Sequence, residues 1–209
     1  MRKPQTFILL SGALLIMTSL MIYMVWDKTI IMAGANHWYA VGDYEKAQSI
    51  YEDLAVDAPN SPPVLHNISL SLYQQGRMSK AAAVFQKAIP GLNAALAKPY
   101  KSLGVYFYDY GNILYKNAAQ SESEPEQALK LYTQALAGYK KALQVNPLDN
   151  DAKYNYELAR LHMERLLNQP HPKQNQRQEI ENILKNSASN DQYKARLIPE
   201  NNPSVGKDW

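Results

Sequence analysis

The stretch V41-GDYEKAQSIYEDLAVDAP-N60 decides the reading of this chain. Gly42 marks a turn. Tyr44, Ala47, Tyr51 and Leu54 then fall three and four apart, which is the spacing of one buried helix face. Pro59 follows the last apolar position and stops the helix. Such a unit has an apolar face that it cannot bury alone. It gains stability only by stacking on another copy, so recurrence is the decisive property.

It does recur. Thirty-four residues beyond Gly42 stands Gly76, with Ala81 for Ala47, Phe85 for Tyr51 and Ala88 for Leu54. Thirty-four residues is the period of a helix–turn–helix repeat. Small residues such as Ala47 and Ala81 let two helix axes approach closely. A third copy is less regular. Tyr106–Asn117 (YFYDYGNILYKN) reads as its first helix. The polar stretch Ser121–Gln127 connects it to a long second helix that starts near Pro125 and carries Ala135, Tyr139, Ala142 and Pro147. The two halves stand about twelve residues further apart than the period allows. A further helix follows from Asp149 or Asn150, which suit an N-cap. In the second copy, Pro90–Gly91 predicts a helix end, and Leu92–Lys98 a short turn before Pro99.

This pattern resembles the tetratricopeptide repeat (TPR) family. The resemblance implies an all-α fold: a helix–turn–helix solenoid following one N-terminal transmembrane helix. The expected layout is an anchor over 1–27 and a TPR domain over 28–168, built from three repeats and a capping helix. A linker, a short helix over 177–185 and a polar tail would fill 169–209.

The anchor is read from Phe7–Trp26, twenty residues without a charge. At about 1.5 Å per residue that spans a hydrocarbon core of about 30 Å. Arg2 and Lys3 precede it, whereas Asp27 and Lys28 after it cancel, so the N-terminus is expected in the cytoplasm. The repeats would then lie outside it, in a single-pass protein of a bacterial inner membrane. Ala33–Ala35 has the small-x-small form of a signal-peptide cleavage site. The apolar run, however, exceeds a usual signal core, and Asp27–Met32 separates it from that site. A near-continuous helix from the bilayer into the first repeat is expected.

The chain has no cysteine, which excludes disulfides, thiol nucleophiles and cysteine zinc sites. His37, His66, His162 and His171 show no metal spacing. Glu122/Glu124 and Glu179/Glu181 are i, i+2 pairs, which diverge on a helix. No phosphate loop or nucleophile elbow is present in the sequence. No catalytic residue, metal, cofactor or small-molecule substrate is therefore expected. A net charge of +3 is too weak to argue for nucleic acid.

What remains is protein binding. The TPR resemblance implies a concave groove lined by the first helix of each repeat, in which a peptide or partner helix lies. It places Asn36 and Asn67 on that groove, with Asn112 and Asn155 as the corresponding pair further on. An amide both donates and accepts, which suits a peptide backbone. The family's carboxylate-binding members carry basic residues where this chain has Met32, His66 and Tyr108, so a free acidic terminus is not the expected ligand. The groove is instead expected to be rich in tyrosine: Tyr39, Tyr73, Tyr108, Tyr115 and Tyr154. Helical asparagines also serve local structure, and tyrosine stripes also serve as core. Trp209 is a weak candidate anchor.

Asn146, Pro147, Asp149, Asp151, Ala152, Lys153, Tyr154, Asn155, Glu157 and Leu158 run from an NP-x-D turn into a DAKYN-x-EL helix. That segment is similar to the TPR proteins of bacterial aerotolerance-type operons, which also encode MoxR-type ATPases and von Willebrand A proteins. The resemblance implies a membrane-held scaffold for von Willebrand A partners. A second reading is an envelope TPR protein that attends the secretion channel and periplasmic chaperones.

Overall fold

The computed structural model describes residues 4–97 and 102–168, together with 182 and 185. Within the first helix it describes the side chains of 14–19, 21 and 28–40. The described chain consists of seven helices: α1 (Pro4–Ala40), α2 (Tyr44–Asp57), α3 (Pro62–Gln74), α4 (Met78–Ala95), α5 (Leu103–Gln120), α6 (Pro125–Val145) and α7 (Asn150–Leu167). They form two compact units, Met1–Gly91 and Leu92–Trp209. Of the short helix and tail expected beyond 168, only residues 182 and 185 are described, both helical; the rest lies outside the described residues.

Helix α1 runs unbroken for 37 residues. The apolar run and the first repeat helix are thus one rod, as expected. Among the described residues no helix is long and apolar enough to cross a membrane. Most of the run's own side chains lie outside those residues.

In the first unit, α1 turns into α2 at Gly42, and α3 turns into α4 at Gly76. Both glycines have positive φ, +86° and +75°. A side chain is strained in that conformation, so glycine stands at the same place in both turns. Asp43 then caps α2 by accepting from the Lys46 amide at 3.1 Å. Ala47, Tyr51 and Leu54 of α2 are buried, and so are Ala81, Phe85 and Ala88 of α4. The sequence period is therefore a packing period.

Helix α3 shows two faces. Val64, Leu65, Ile68 and Leu72 are buried with Ser69 and Ser71. Those hydroxyls need partners in an apolar setting, and each turns back on its own helix: Ser69 to the Leu65 carbonyl and Ser71 to that of Asn67.

One expectation fails. Pro90–Gly91 does not end α4, which continues to Ala95 with Pro90 inside it. Proline removes one amide donor and costs about 3 kcal/mol within a helix. Leu92, two residues on, is fully buried and contributes opposing apolar burial.

The second unit packs α6 against both α5 and α7. Ala135, Tyr139 and Ala142 of α6 are buried like their counterparts in α2. Helix α7 starts at the expected cap: the Asp149 carboxylate accepts from the Ala152 amide at 2.9 Å. Its outer surface carries Arg160 between Glu157 and Glu164, spaced to pair along the helix.

Candidate functional site

The site grows from a tyrosine on the second helix of a pair. In the first unit, Tyr51 of α2 is buried, so its hydroxyl needs a partner. It donates to Asn36 Oδ1 at 2.6 Å. That separation belongs to an O–H···O bond, which fixes the oxygen end of the Asn36 amide. Asn67 of α3 donates its Nδ2 to the same oxygen at 3.4 Å and to Met32 Sδ at 3.6 Å. One amide oxygen thus joins three helices.

Beside this junction lies a pocket of ≈ 130 Å³, lined by Asn36, Tyr39, Tyr51, Asn67 and Leu70. It is below the about 300–1,000 Å³ of sites for drug-sized ligands. Its scale and mixed lining fit one side chain of a peptide. Tyr39 is tied to α3 by the Gln74 amide, which donates to its hydroxyl at 3.3 Å.

The second unit repeats the construction. Tyr139 of α6 donates to Asn112 Oδ1 at 2.9 Å, and Asn155 Nδ2 donates to that oxygen at 2.9 Å. Asn155 also donates to the Tyr108 hydroxyl at 3.1 Å, where the first unit has Met32. The tyrosine and asparagine stand 27 residues apart here and 15 apart in the first unit. The extra residues lengthen the helices: α5 runs eight residues past Asn112 and α6 starts fourteen before Tyr139, against four and seven in α1 and α2. The side-chain geometry is unchanged. The chain is an all-α helical repeat protein.

The sequence-predicted residues divide into two classes. Asn36, Tyr39 and Asn67 line the pocket together, and Tyr108, Asn112 and Asn155 are joined by hydrogen bonds. His66 is half inside: its ring meets Phe85 edge-on at 5.7 Å, and its Nδ1 lies 3.3 Å from Asn67 Oδ1. Tyr73 is half-buried on α3 outside the pocket lining, and Tyr154 is exposed on α7.

Tyr115 belongs to a further cluster that the sequence did not reveal. Its hydroxyl lies 3.3 Å from His162 Nε2. Tyr132 donates to Glu122 Oε1 at 2.8 Å, and Arg165 Nη2 holds the same carboxylate at 2.8 and 2.6 Å. Tyr115 and Tyr132 meet edge-on at 5.6 Å, as Tyr39 and Tyr44 do at 5.3 Å in the first unit. His162 bonds Tyr115 as Gln74 bonds Tyr39. Glu122 sits in the short connection between α5 and α6, and in the sequence it stands out only as an i, i+2 pair with Glu124.

Burial pushes the Glu122 carboxyl up, but the Tyr132 and His162 hydrogen bonds and the Arg165 charge outweigh it and hold it below its ordinary value near 4.5. Tyr132 and Tyr115 move the other way, chiefly through burial and then the Glu122 charge, so both remain hydroxyl donors at neutral pH. A carboxyl whose pKa is lowered by folding stabilises the fold above its unfolded pKa. That stabilisation is lost as pH falls through the folded value. Glu122→Gln is expected to cost about 1 kcal/mol at pH 7, since the Arg165 side is exposed to water. Thermal melts from neutral pH to about pH 3 should show the difference from wild type closing below about pH 4.5. A difference that persists at about pH 3 would mean the carboxylate charge is not what stabilises the cluster.

Neither the family models nor the curated proteins contain a match to this chain. Among solved structures it is similar to the Sgt2 TPR domain from Aspergillus fumigatus. The identity is 18% and the TM-score 0.49, over 70% of this chain and 85% of that one.

Proposed function

We propose that this chain is a membrane-anchored adaptor of the TPR type that binds a segment of a partner protein in its grooves. The observation that carries the reading is the pocket of Asn36, Tyr39, Tyr51, Asn67 and Leu70. It joins an apolar hole for one side chain to two amides suited to the adjoining peptide backbone.

Anchoring rests on the uncharged run Phe7–Trp26 and on α1 itself. Leu14, Leu15, Ile16, Met17 and Met21 are all exposed. Four consecutive residues point around the whole helix, so no described part of the chain covers them, and lipid is the natural solvent for such a surface. The basic start then places the N-terminus in the cytoplasm and the repeats on the other side of an inner membrane. The motif from Asn146 to Leu158 favours von Willebrand A proteins of a MoxR-type system as partners.

The test is a crosslinked pull-down from solubilised membranes with wild type, Asn36→Leu and Leu70→Trp. Both variants change the pocket while leaving the core intact. Loss of the von Willebrand A partner from both is expected. An unchanged set of partners would remove the pocket from the account, and recovery of the secretion channel instead would redirect it. Protease protection on intact cells should show the repeats accessible only after the outer barrier is opened. Repeats protected until the inner membrane is lysed would overturn the orientation.

A further inference from the structure

The two copies of the asparagine network differ at their edges, and the differences share one direction. In the first unit the Asn67 oxygen has the His66 ring nitrogen 3.3 Å away. In the second unit the residue before the asparagine is Tyr154, which has no ring nitrogen to offer. Asn155 is 2% exposed, and its Oδ1 has no hydrogen-bond partner among the described residues. Its Nδ2 is committed to Asn112 and Tyr108, so the amide cannot turn to relieve the oxygen. A buried acceptor left this way is destabilising until a donor arrives.

The charge around it changes as well. Asp109, Asp149 and Asp151 of the second unit occupy the positions of Ala33, Ser61 and Pro63 in the first. The framework is shared, but three neutral places have become carboxylates. The Tyr108 hydroxyl, next to the orphan oxygen, registers them: burial raises its pKa most, and all three carboxylates raise it further. Acids at the start of α7 also suit the helix dipole. That accounts for Asp149 and Asp151 in part, Asp149 being the α7 cap; Asp109 lies within α5. Along the same helices Val105, Tyr154 and Leu161 are exposed apolar side chains.

We propose that the groove of the second unit binds a cationic peptide segment, with a lysine or arginine N–H donating to Asn155 Oδ1 between Tyr108 and Tyr154. This deepens the adaptor reading and rests on it. The carboxylates supply charge complementarity, and the tyrosine rings supply faces for a cation. Val105 and Leu161 receive the apolar residues that flank it. The oxygen is buried, so a donor reaches it only after a side-chain rotation; Tyr154, the residue before Asn155, is exposed. The ligand sign is opposite to that of a carboxylate-binding groove. The chain's own net charge of +3 would favour the other sign if attraction were unspecific.

The experiment uses the full chain in phosphatidylcholine nanodiscs, with empty nanodiscs as background. The probes are three fluorescein-labelled, N-acetylated and C-amidated dodecapeptides of serine and leucine. One is neutral, one carries two lysines and one carries two glutamates at the same positions. Anisotropy should show the lysine peptide binding about tenfold tighter than the glutamate peptide at low salt. Asp109→Asn/Asp151→Asn, and Asp151→Asn alone, should shrink that ratio, while Leu70→Trp in the first unit should leave it unchanged. Equal or inverted affinities in wild type would overturn the proposal. So would a lysine preference that survives the double substitution with its melting temperature intact. Binding of the neutral peptide that is lost in Leu70→Trp, with no lysine preference, would sink the charge assignment and leave the adaptor reading standing. If none of the three peptides binds, both fall.

Discussion

Gly111→Val is expected to unfold the second unit. A Cβ on Gly111 would lie 2.5 Å from Tyr139 Cε1 and 2.6 Å from its Cδ1. That ring cannot step aside, because it is fully buried and its hydroxyl is held by Asn112. Across the interface, a Cβ on Gly138 would meet the Gly111 backbone at 3.1 Å and the Phe107 carbonyl at 3.2 Å. The two glycines therefore set the closest approach of α5 and α6. Overpacking ordinarily costs about 1–3 kcal/mol. Alanine at 111 would recover about 1 kcal/mol of helix propensity, but valine adds two more methyl groups and recovers less. The loss for valine is expected at or above about 3 kcal/mol. For a unit of this size each kcal/mol is worth about 4–8 °C. Circular dichroism melts should show the drop, and hydrogen exchange should show α5 to α7 losing protection. A melting curve within a degree or two of wild type would refute the close crossing. The first unit provides the internal control: Ala35 precedes Asn36 as Gly111 precedes Asn112, and it is buried without clash. There the same crossing accepts a methyl group.

That contrast also marks what the sequence could reveal. The period was legible because it is written in residue size: Gly42 and Gly76, Ala47 and Ala81, Tyr51 and Phe85 all serve the same packing place. The approximate size of the insertion between Asn112 and Tyr139 was legible for the same reason. Pro90 misled because a breaker signal is local, whereas the burial of Leu92 is tertiary and invisible in the stretch itself. The asparagines could be placed by register, yet their partners could not. Tyr51 and Tyr139 read as core residues, and nothing in their spacing shows that a buried ring must send its hydroxyl to an amide on the preceding helix. Glu122 was the least legible. It lies in a connection without periodicity, and its role depends on His162 and Arg165, some forty residues on, which the fold alone brings near. Tyr154 and His66 occupy one register position, and only the structure shows that a ring nitrogen stands beside the asparagine oxygen in one copy and not in the other.

Asn112→Leu and Asn36→Leu remove the same atom from the same network, and their costs are expected to differ sharply. Asn112 Oδ1 takes the hydroxyl of a fully buried tyrosine and the amide of Asn155, which is itself buried. Leucine would strand the Tyr139 hydroxyl away from water, at about 1–3 kcal/mol, and remove a second bond worth about 1 kcal/mol. The expected loss is about 2–4 kcal/mol. Tyr51 is buried like Tyr139, but it lines the pocket, Asn36 is exposed and Asn67 only half-buried, so water can replace the lost acceptor. Its loss is expected below about 1 kcal/mol. Urea unfolding of the two variants gives the comparison directly. Comparable costs would mean that burial does not govern the network. The mechanism has a sharper check in Asn112→Leu/Tyr139→Phe. Removing the donor as well as the acceptor leaves no stranded group, so the double variant should be more stable than Asn112→Leu alone by about 1–2 kcal/mol. If Tyr139→Phe instead adds its own loss in full, the hydroxyl was never the burdened group, and the cost of Asn112→Leu lies in the shape of leucine.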